Sequence, residues 1–449
     1  MTRSVPDSPA PAQRSTAPQR SGVEGGASPG PKTSAGAGPL RLPLPPELTQ
    51  RGTCPFDPPP ALDRIREESP VTAITLLDGS AAWLVSGYEQ ARLVLSDSRF
   101  SSDRRRRMGA MEGVSDEVRR AMLDERSSAG MFIASDPPEH TRYRRLLVGE
   151  FTVRRMRQLE PRISEIVDDH IDRMIAAGSS ADLVASFALP VPSLVICELL
   201  GVPYEDREEF QETTGSLLRL DTTPEEALQV QQRMRAFMHR LVAEKRAWPS
   251  DDLLSGLVHG DADPPLADHE LVNIANLLLV AGHETTANML GLGMFALLEH
   301  PRQLTALRDD PGLIGGAVEE LLRYLSIVHL GMTRVATEDL DLDRWHIPEG
   351  SLVVVSLPEA NRDPDHWQRP HSLEIDRARL PHVAFGHGIH QCLGQQLARV
   401  EMATGFEALL RRLPGIRLDV ALVDVPVRSD MFIYGVHSLP VAWDSSEAT

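Results

Sequence analysis

Apolar residues recur at helical spacing from about Glu89 onward, giving amphipathic segments near 89–96, 115–126, 137–150, 153–176, 191–200, 224–246, 268–299, 301–308 and 313–325. Ahead of them the pattern is that of strands. Residues 71–77 and 80–85 flank Asp78-Gly79, a dipeptide that supplies the backbone angles of a tight hairpin. Short strands return near 332–336 and 351–357, so the chain reads as mainly α with small β-sheets at both ends and no internal repeat. At 1.5 Å per residue the segment 268–299 would run roughly 45 Å and cross the whole molecule. Asp268 reads as its N-cap and Pro301 as its stop. Asn273, Asn276, His283, Glu284 and Asn288 interrupt its apolar run, which marks a buried helix of a soluble protein rather than a membrane span.

Length alone, 449 residues, allows about three average domains or one large helical one. A net charge of -18 argues against broad binding of nucleic acid or anionic lipid, whose charge the protein's field would repel. Three cysteines, Cys54, Cys197 and Cys392, have the wrong parity for a disulfide scaffold, and a reducing cytoplasmic compartment is expected. Residues 1–45 are rich in Pro, Ser, Ala and Gly, carry a net +3 and lack the pattern of a signal peptide. They are expected to be a disordered tail.

Two motifs override their bland readings. Residues 385–394 read Phe-Gly-His-Gly-Ile-His-Gln-Cys-Leu-Gly just before an amphipathic helix from about 393 to 413. Cys392 then lies near a helix N-terminus, where free amides and the helix dipole favour a thiolate, and the glycines allow tight turns. A rival zinc site could be drawn from His382, His387, His390 and Cys392, but no Cys-x-x-Cys accompanies them. The second motif, Ala-Gly-His-Glu-Thr-Thr at 281–286, puts a glycine and two threonines inside a helix at a cost of about 1 kcal/mol for the glycine alone. A threonine hydroxyl can bond back one turn or turn toward a ligand, and the adjacent Glu284 can relay protons. Glu320 and Arg323 stand three apart on one helical face, and His140 and Arg144 four apart on another.

Together these residues resemble the cytochrome P450 family, in particular its soluble bacterial class of the actinomycete type, over roughly residues 46–445. The resemblance implies the P450 fold in a single domain spanning 46–449, with the long central helix over a haem b. It makes Cys392 the thiolate ligand of the iron, with Phe385 packed beside it. Thr285 and Glu284 become the acid-alcohol pair that delivers protons to dioxygen, and Gly282 gives the oxygen its groove. His140, Arg144, Arg334 and His390 become propionate partners, and Glu320, Arg323 and Arg377 an ion-pair core supporting the cysteine loop. Leu373-Glu374 replaces the family's usual Phe-Asp pair, and Trp367 stands where an aromatic is expected, which leaves Arg379 as an alternative to Arg377.

The implied activity is monooxygenation of a hydrophobic small molecule, a macrolide, polyketide, terpenoid or sterol-like compound of secondary metabolism or antibiotic biosynthesis. Electrons would come from NAD(P)H through a ferredoxin reductase and a ferredoxin. An acidic ferredoxin would dock on a local basic face, with Arg144, Arg145 and Arg399 as candidates. Pocket walls are expected from 104–133, 187–220, 328–332 and the turn around Phe432 and Ile433. Arg104 to Arg107 form either a solvated loop or a contact for an anionic substrate group. A peroxide-driven haem enzyme and a haem-binding sensor are the alternative functions.

Overall fold

The computed structural model describes residues 44–77, 79–110, 124–210, 224–329, 332–378, 380–428 and 431–444. The N-terminal tail, most of the segment expected at 115–126, and Arg379 lie outside them. The helices that build the site are α1 (Arg104–Ala110), α2 (Glu139–Leu147), α3 (Val153–Ala177), α4 (Pro190–Leu200), α5 (Pro224–Ala247), α6 (Asp268–Glu299), α7 (Ile314–Leu325) and α8 (Gln395–Arg412). α6 has the limits its pattern predicts, but its N-cap is Ala267, not Asp268. The backbone N–H of Ala267 is satisfied by Glu270, whose carboxylate reaches back at 2.7 Å. A side chain three residues inside the helix therefore does the work expected of a capping aspartate.

α6 is buried nearly all round because α4, α5 and α8 pack against it. Such a helix needs no polar face, which is why it reads as a long apolar run. Two glycines permit the closest approaches. A Cβ on Gly293 would lie 2.7 Å from the Phe406 ring of α8, and one on Gly282 would lie 2.8 Å from Ile196 Cδ1 of α4. The largest apolar core surrounds this helix, from Phe56 to Trp443.

The strands are β1 (Val71–Thr75), β2 (Ala81–Val85), β3 (Phe100–Ser101), β4 (Ser180–Asp182), β5 (Met332–Ala336), β6 (Leu340–Leu342), β7 (Trp345–Ile347), β8 (Leu352–Val355), β9 (Arg417–Leu418) and β10 (Pro440–Ala442). The expectation of sheets at both ends of the chain changes here. β1 and β2 form the expected hairpin, but β8 adds to β2 in parallel, Ala82 beside Leu352, and the sheet runs β1-β2-β8-β5-β3. Four-residue β8 is buried throughout, as a strand covered on both faces must be. It stops at Val355, short of the expected 357, because Leu357 opens a helical turn with Pro358 in its first positions. The helix Pro60–Glu68, hidden in the sequence by its prolines, uses Pro60 in the same way.

Candidate functional site

Cys392 closes a loop that leaves little freedom. Its N–H donates to the Phe385 carbonyl at 2.9 Å, bringing the two ends of the motif together. Gly386 and Gly388 both take positive φ, and a Cβ on Gly388 would sit 2.4 Å from the Leu95 carbonyl oxygen, so no larger residue fits there. Gly394 is the N-cap of α8, and its amide lies within hydrogen-bond reach of the sulfur. Burial pushes the thiol up, opposed by that amide and by the Arg144 and Arg399 guanidiniums. Phe385 is half-buried, with the Arg399 guanidinium 4.6 Å from its ring centre.

The loop is braced from behind by two carboxylates. Glu320 receives both prongs of Arg323 at 2.8 Å, Arg377 Nε at 3.1 Å and the Glu374 amide at 2.9 Å. Arg323 also donates to the carbonyls of Asn361, Pro370 and Ser372, pinning the chain ahead of the cysteine. Arg377 therefore fills the expected place. Trp367 is buried with the Arg323 guanidinium 5.2 Å from its ring centre, and Leu373, six residues later, is buried in the main apolar core, so both altered positions are packed. Glu319 binds Arg399 and His382. Burial alone would raise this carboxyl, but those partners bring it to about 2.

Four donors converge in front of the cysteine. His140 and His390 have ring centres 4.3 Å apart, and Arg144 Nη2 donates to the Gln391 carbonyl at 2.6 Å. Among the described residues neither His140 nitrogen has a hydrogen-bond partner, although the Ile389 backbone is close, and Arg334 Nη2 is buried without one. Burial, then Arg334, His140 and Arg144, pushes His390 down to about 3, and burial brings Arg334 to about 10. Asp136 is the acid acting on Arg334, yet it is committed to Ser101 and the Ser102 amide. Arg334 Nη1 donates to the Thr333 carbonyl, and the donor atoms left over among the described residues, both His140 nitrogens and Arg334 Nη2, in a setting of mutually repelling cations, call for an anion. A haem, with its two carboxylates, fits this donor set, and the Cys392 thiol is near enough to Arg144 for the two to act on each other electrostatically.

On α6 the expected pair is present. Thr285 Oγ1 donates to the Ala281 carbonyl at 2.6 Å, the back-bonded alternative. Val280, 55% exposed, and Ala281 present apolar surface midway along an otherwise buried helix. The space beside Gly282 is taken by Ile196, which adds a packing reason for that glycine. Glu284 Oε1 accepts from Arg428 Nη2 at 2.7 Å, and Arg428 Nη1 donates to Asn288 Oδ1 at 3.1 Å. Arg428 and Asn288 are the members of this group that sequence reasoning missed. Asn288, one helical turn beyond Glu284, was the available signal.

The zinc grouping is not formed. His382 is bound to Glu319, and among the described residues no three His, Cys, Asp or Glu side chains are placed to hold a metal ion. In the arginine run, Arg105 pairs with Asp103 and Arg106 is exposed, while Arg107 turns inward and donates to Thr333 Oγ1 at 3.3 Å. Ile433 pairs with Val328, joining two of the expected pocket walls, and Phe432 beside it is exposed.

Comparison with known proteins gives the same family. The sequence model described as "Cytochrome P450" matches residues 109–311 and 313–414. "Cytochrome P450 105C1" of a Streptomyces species is 49% identical over 388 residues, 86% of this chain and 96% of that one. "Vitamin D3 dihydroxylase" of Streptomyces griseolus is 41% identical over 404 residues, 89% of this chain and 97% of that one. A crystal structure of CYP105P1 in complex with filipin I matches with a TM-score of 0.80 and 44% identity, over 90% of this chain and 99% of that one. No helix among the described residues is long and apolar enough to cross a membrane.

Proposed function

The chain belongs to the cytochrome P450 family, monooxygenases that bind haem b and use O2 with NAD(P)H-derived electrons, and on that premise we propose that it hydroxylates a hydrophobic secondary metabolite or a sterol-like compound. When bound, haem would supply the oxidising chemistry by which one atom of dioxygen enters the substrate and the other, with two NAD(P)H-derived electrons and two protons, leaves as water. In this reading Cys392 is the thiolate ligand, with Phe385 packed beside it, and His140, Arg144, Arg334 and His390 hold the propionates. The observation that carries the assignment is the group of buried donor atoms, both nitrogens of His140 and Nη2 of Arg334, that have no acceptor among the described residues. Residues 46–449 act as one haem domain, with 1–45 as an appendage, in the cytoplasm.

The proton relay follows from the atoms of α6. Glu284 Oε1 is held by Arg428, whereas Oε2 takes no hydrogen bond among the described residues and is the oxygen that exchanges protons. Thr285 Oγ1 hands a proton on by exchanging its bond to the Ala281 carbonyl for one pointing away from the helix. Gly282 belongs to the same motif, but the position its Cβ would take is held by Ile196 of α4, so what supports this glycine is packing rather than a groove for oxygen.

Similarity to a vitamin D3 dihydroxylase and to a protein crystallised with filipin I supports the substrate class. For the redox partner, a ferredoxin fed by its reductase, Arg145 is the exposed member of the three candidate docking arginines, since Arg144 is spent on Gln391 and Arg399 on Glu319.

The reduced haem protein under carbon monoxide is expected to show the Soret band of thiolate ligation. A band at the position for histidine ligation would remove Cys392 from the role. Vitamin D3 and filipin I serve as the first substrate panel, with a spin-state shift and a hydroxylated product expected for at least one. Absence of both for both compounds overturns the substrate class.

A further inference from the structure

Arg428 is a long cation buried at 4% side-chain exposure, and it lies far along the chain from the helix it serves. Its backbone N–H donates to the Gly435 carbonyl at 2.8 Å, and Val427 pairs with Val436, so it stands at the base of the C-terminal turn. That turn is pressed onto α6: a Cβ on Gly435 would come within 1.8 Å of Asn288 Oδ1. The far side of the turn carries Phe432 and Ile433, and Ile433 pairs with Val328 while the Tyr434 amide donates to the Ile327 carbonyl at 2.7 Å. From this base the guanidinium forks, one nitrogen to Glu284 and one to Asn288. Asn288 in turn donates to the Glu284 carbonyl at 2.8 Å, so three residues form a closed frame.

The geometry points to Arg428 as a positioning residue: it fixes one oxygen of Glu284, leaves the other without a hydrogen bond among the described residues, and anchors the acid to the Val427–Val436 pairing of the C-terminal segment. The inference rests on the reading of Glu284 as the relay acid. A planar fork is required because one donor group must meet two acceptors a helical turn apart, which a lysine ammonium does less well.

The test compares the haem-loaded wild type with R428L, R428K, E284Q and the R428L/E284Q double variant, using NADH, a ferredoxin, its reductase and vitamin D3 as the probe. R428L is expected to slow NADH oxidation on the order of tenfold, a fraction of what general acid-base groups contribute. In the E284Q background the same change should cost less than about twofold, because the two residues act as one unit. A second readout is independent of turnover: the infrared carboxylate band of Glu284, isolated by subtracting the E284Q spectrum, shifts when the guanidinium is removed. Equal slowing by R428L with and without Glu284, or an unmoved carboxylate band, overturns the proposal. If R428L does not fold, R428K carries the test, and its band must still move because a shorter, non-planar ammonium replaces the guanidinium fork at Glu284. Normal turnover in E284Q sinks the relay reading itself, whereas slow E284Q with normal R428L sinks this inference alone.

Discussion

Glu320 and Glu284 are both carboxylates paired with a buried arginine, and they are opposite in kind. Glu320 is 4% exposed, and its oxygens are taken by two arginines and a backbone amide. Its partner Arg323 spends its remaining hydrogens on three backbone carbonyls. Glu284 is 22% exposed, has one arginine, and keeps an oxygen unbonded among the described residues. A saturated carboxylate has nothing left to exchange and can only hold structure. A half-satisfied one, held on one side, keeps an atom for chemistry at the cost of weaker anchoring.

The widest separation between the two should come from stability. Glu320→Ala leaves Arg323 buried without its partner and is expected to cost about 3–5 kcal/mol, enough to lose much of the folded haem protein. Chemical denaturation measures it, and a loss under about 1 kcal/mol would erase the distinction. Glu284→Gln keeps an acceptor for Arg428 while removing its charge, so it should cost only about 1–2 kcal/mol of stability but lower turnover by on the order of a hundredfold. The solvent isotope effect on product formation should rise with it, since proton delivery then limits the rate.

His283, beside Glu284, sharpens the contrast from the buried side of the same helix. Its Nε2 meets the Leu189 carbonyl of the neighbouring segment, and burial, with Arg428 adding to it, lowers its pKa to about 4. Its folded pKa is below the unfolded value of about 6.5, so its contribution is fully present above pH 6.5 and is lost as pH falls toward 4. Between pH 7 and pH 5 the folded state should lose about 2 kcal/mol through this group. Replacing His283 with Gln should flatten that part of the stability profile, and an unchanged slope would refute it. The smallest effect is expected from Gly282→Ala. Its methyl would crowd Ile196 at about 1 kcal/mol, partly offset by better helix propensity, and Ile196→Val should relieve it.

What the sequence made legible was local. The limits of α6 and the loop from Phe385 to Cys392 could be read directly because their signals, helical periodicity and closely spaced glycines, lie in neighbouring residues. The pairing of β2 with β8 could not be read, since no local pattern says that Ala82 lies beside Leu352. The same holds for Arg428, whose partners lie about 140 residues earlier. Arg399 shows the other failure: a sequence displays a charge and not its neutralisation, and Glu319 already holds this one. Asp268 gave a capping signal of the right type one position too late, because Glu270 could satisfy the same amide from inside the helix.

The parallel contact between β2 and β8 also sets a schedule. A chain leaves the ribosome from its N-terminus at roughly 5–20 residues per second, so the hairpin of β1 and β2 emerges about 15–50 s before its third strand exists. Through that interval the edge of β2, with Ala82, Leu84 and Val85 buried only in the finished protein, has no partner. Newborn copies are most exposed to one another through this edge while it waits for β8.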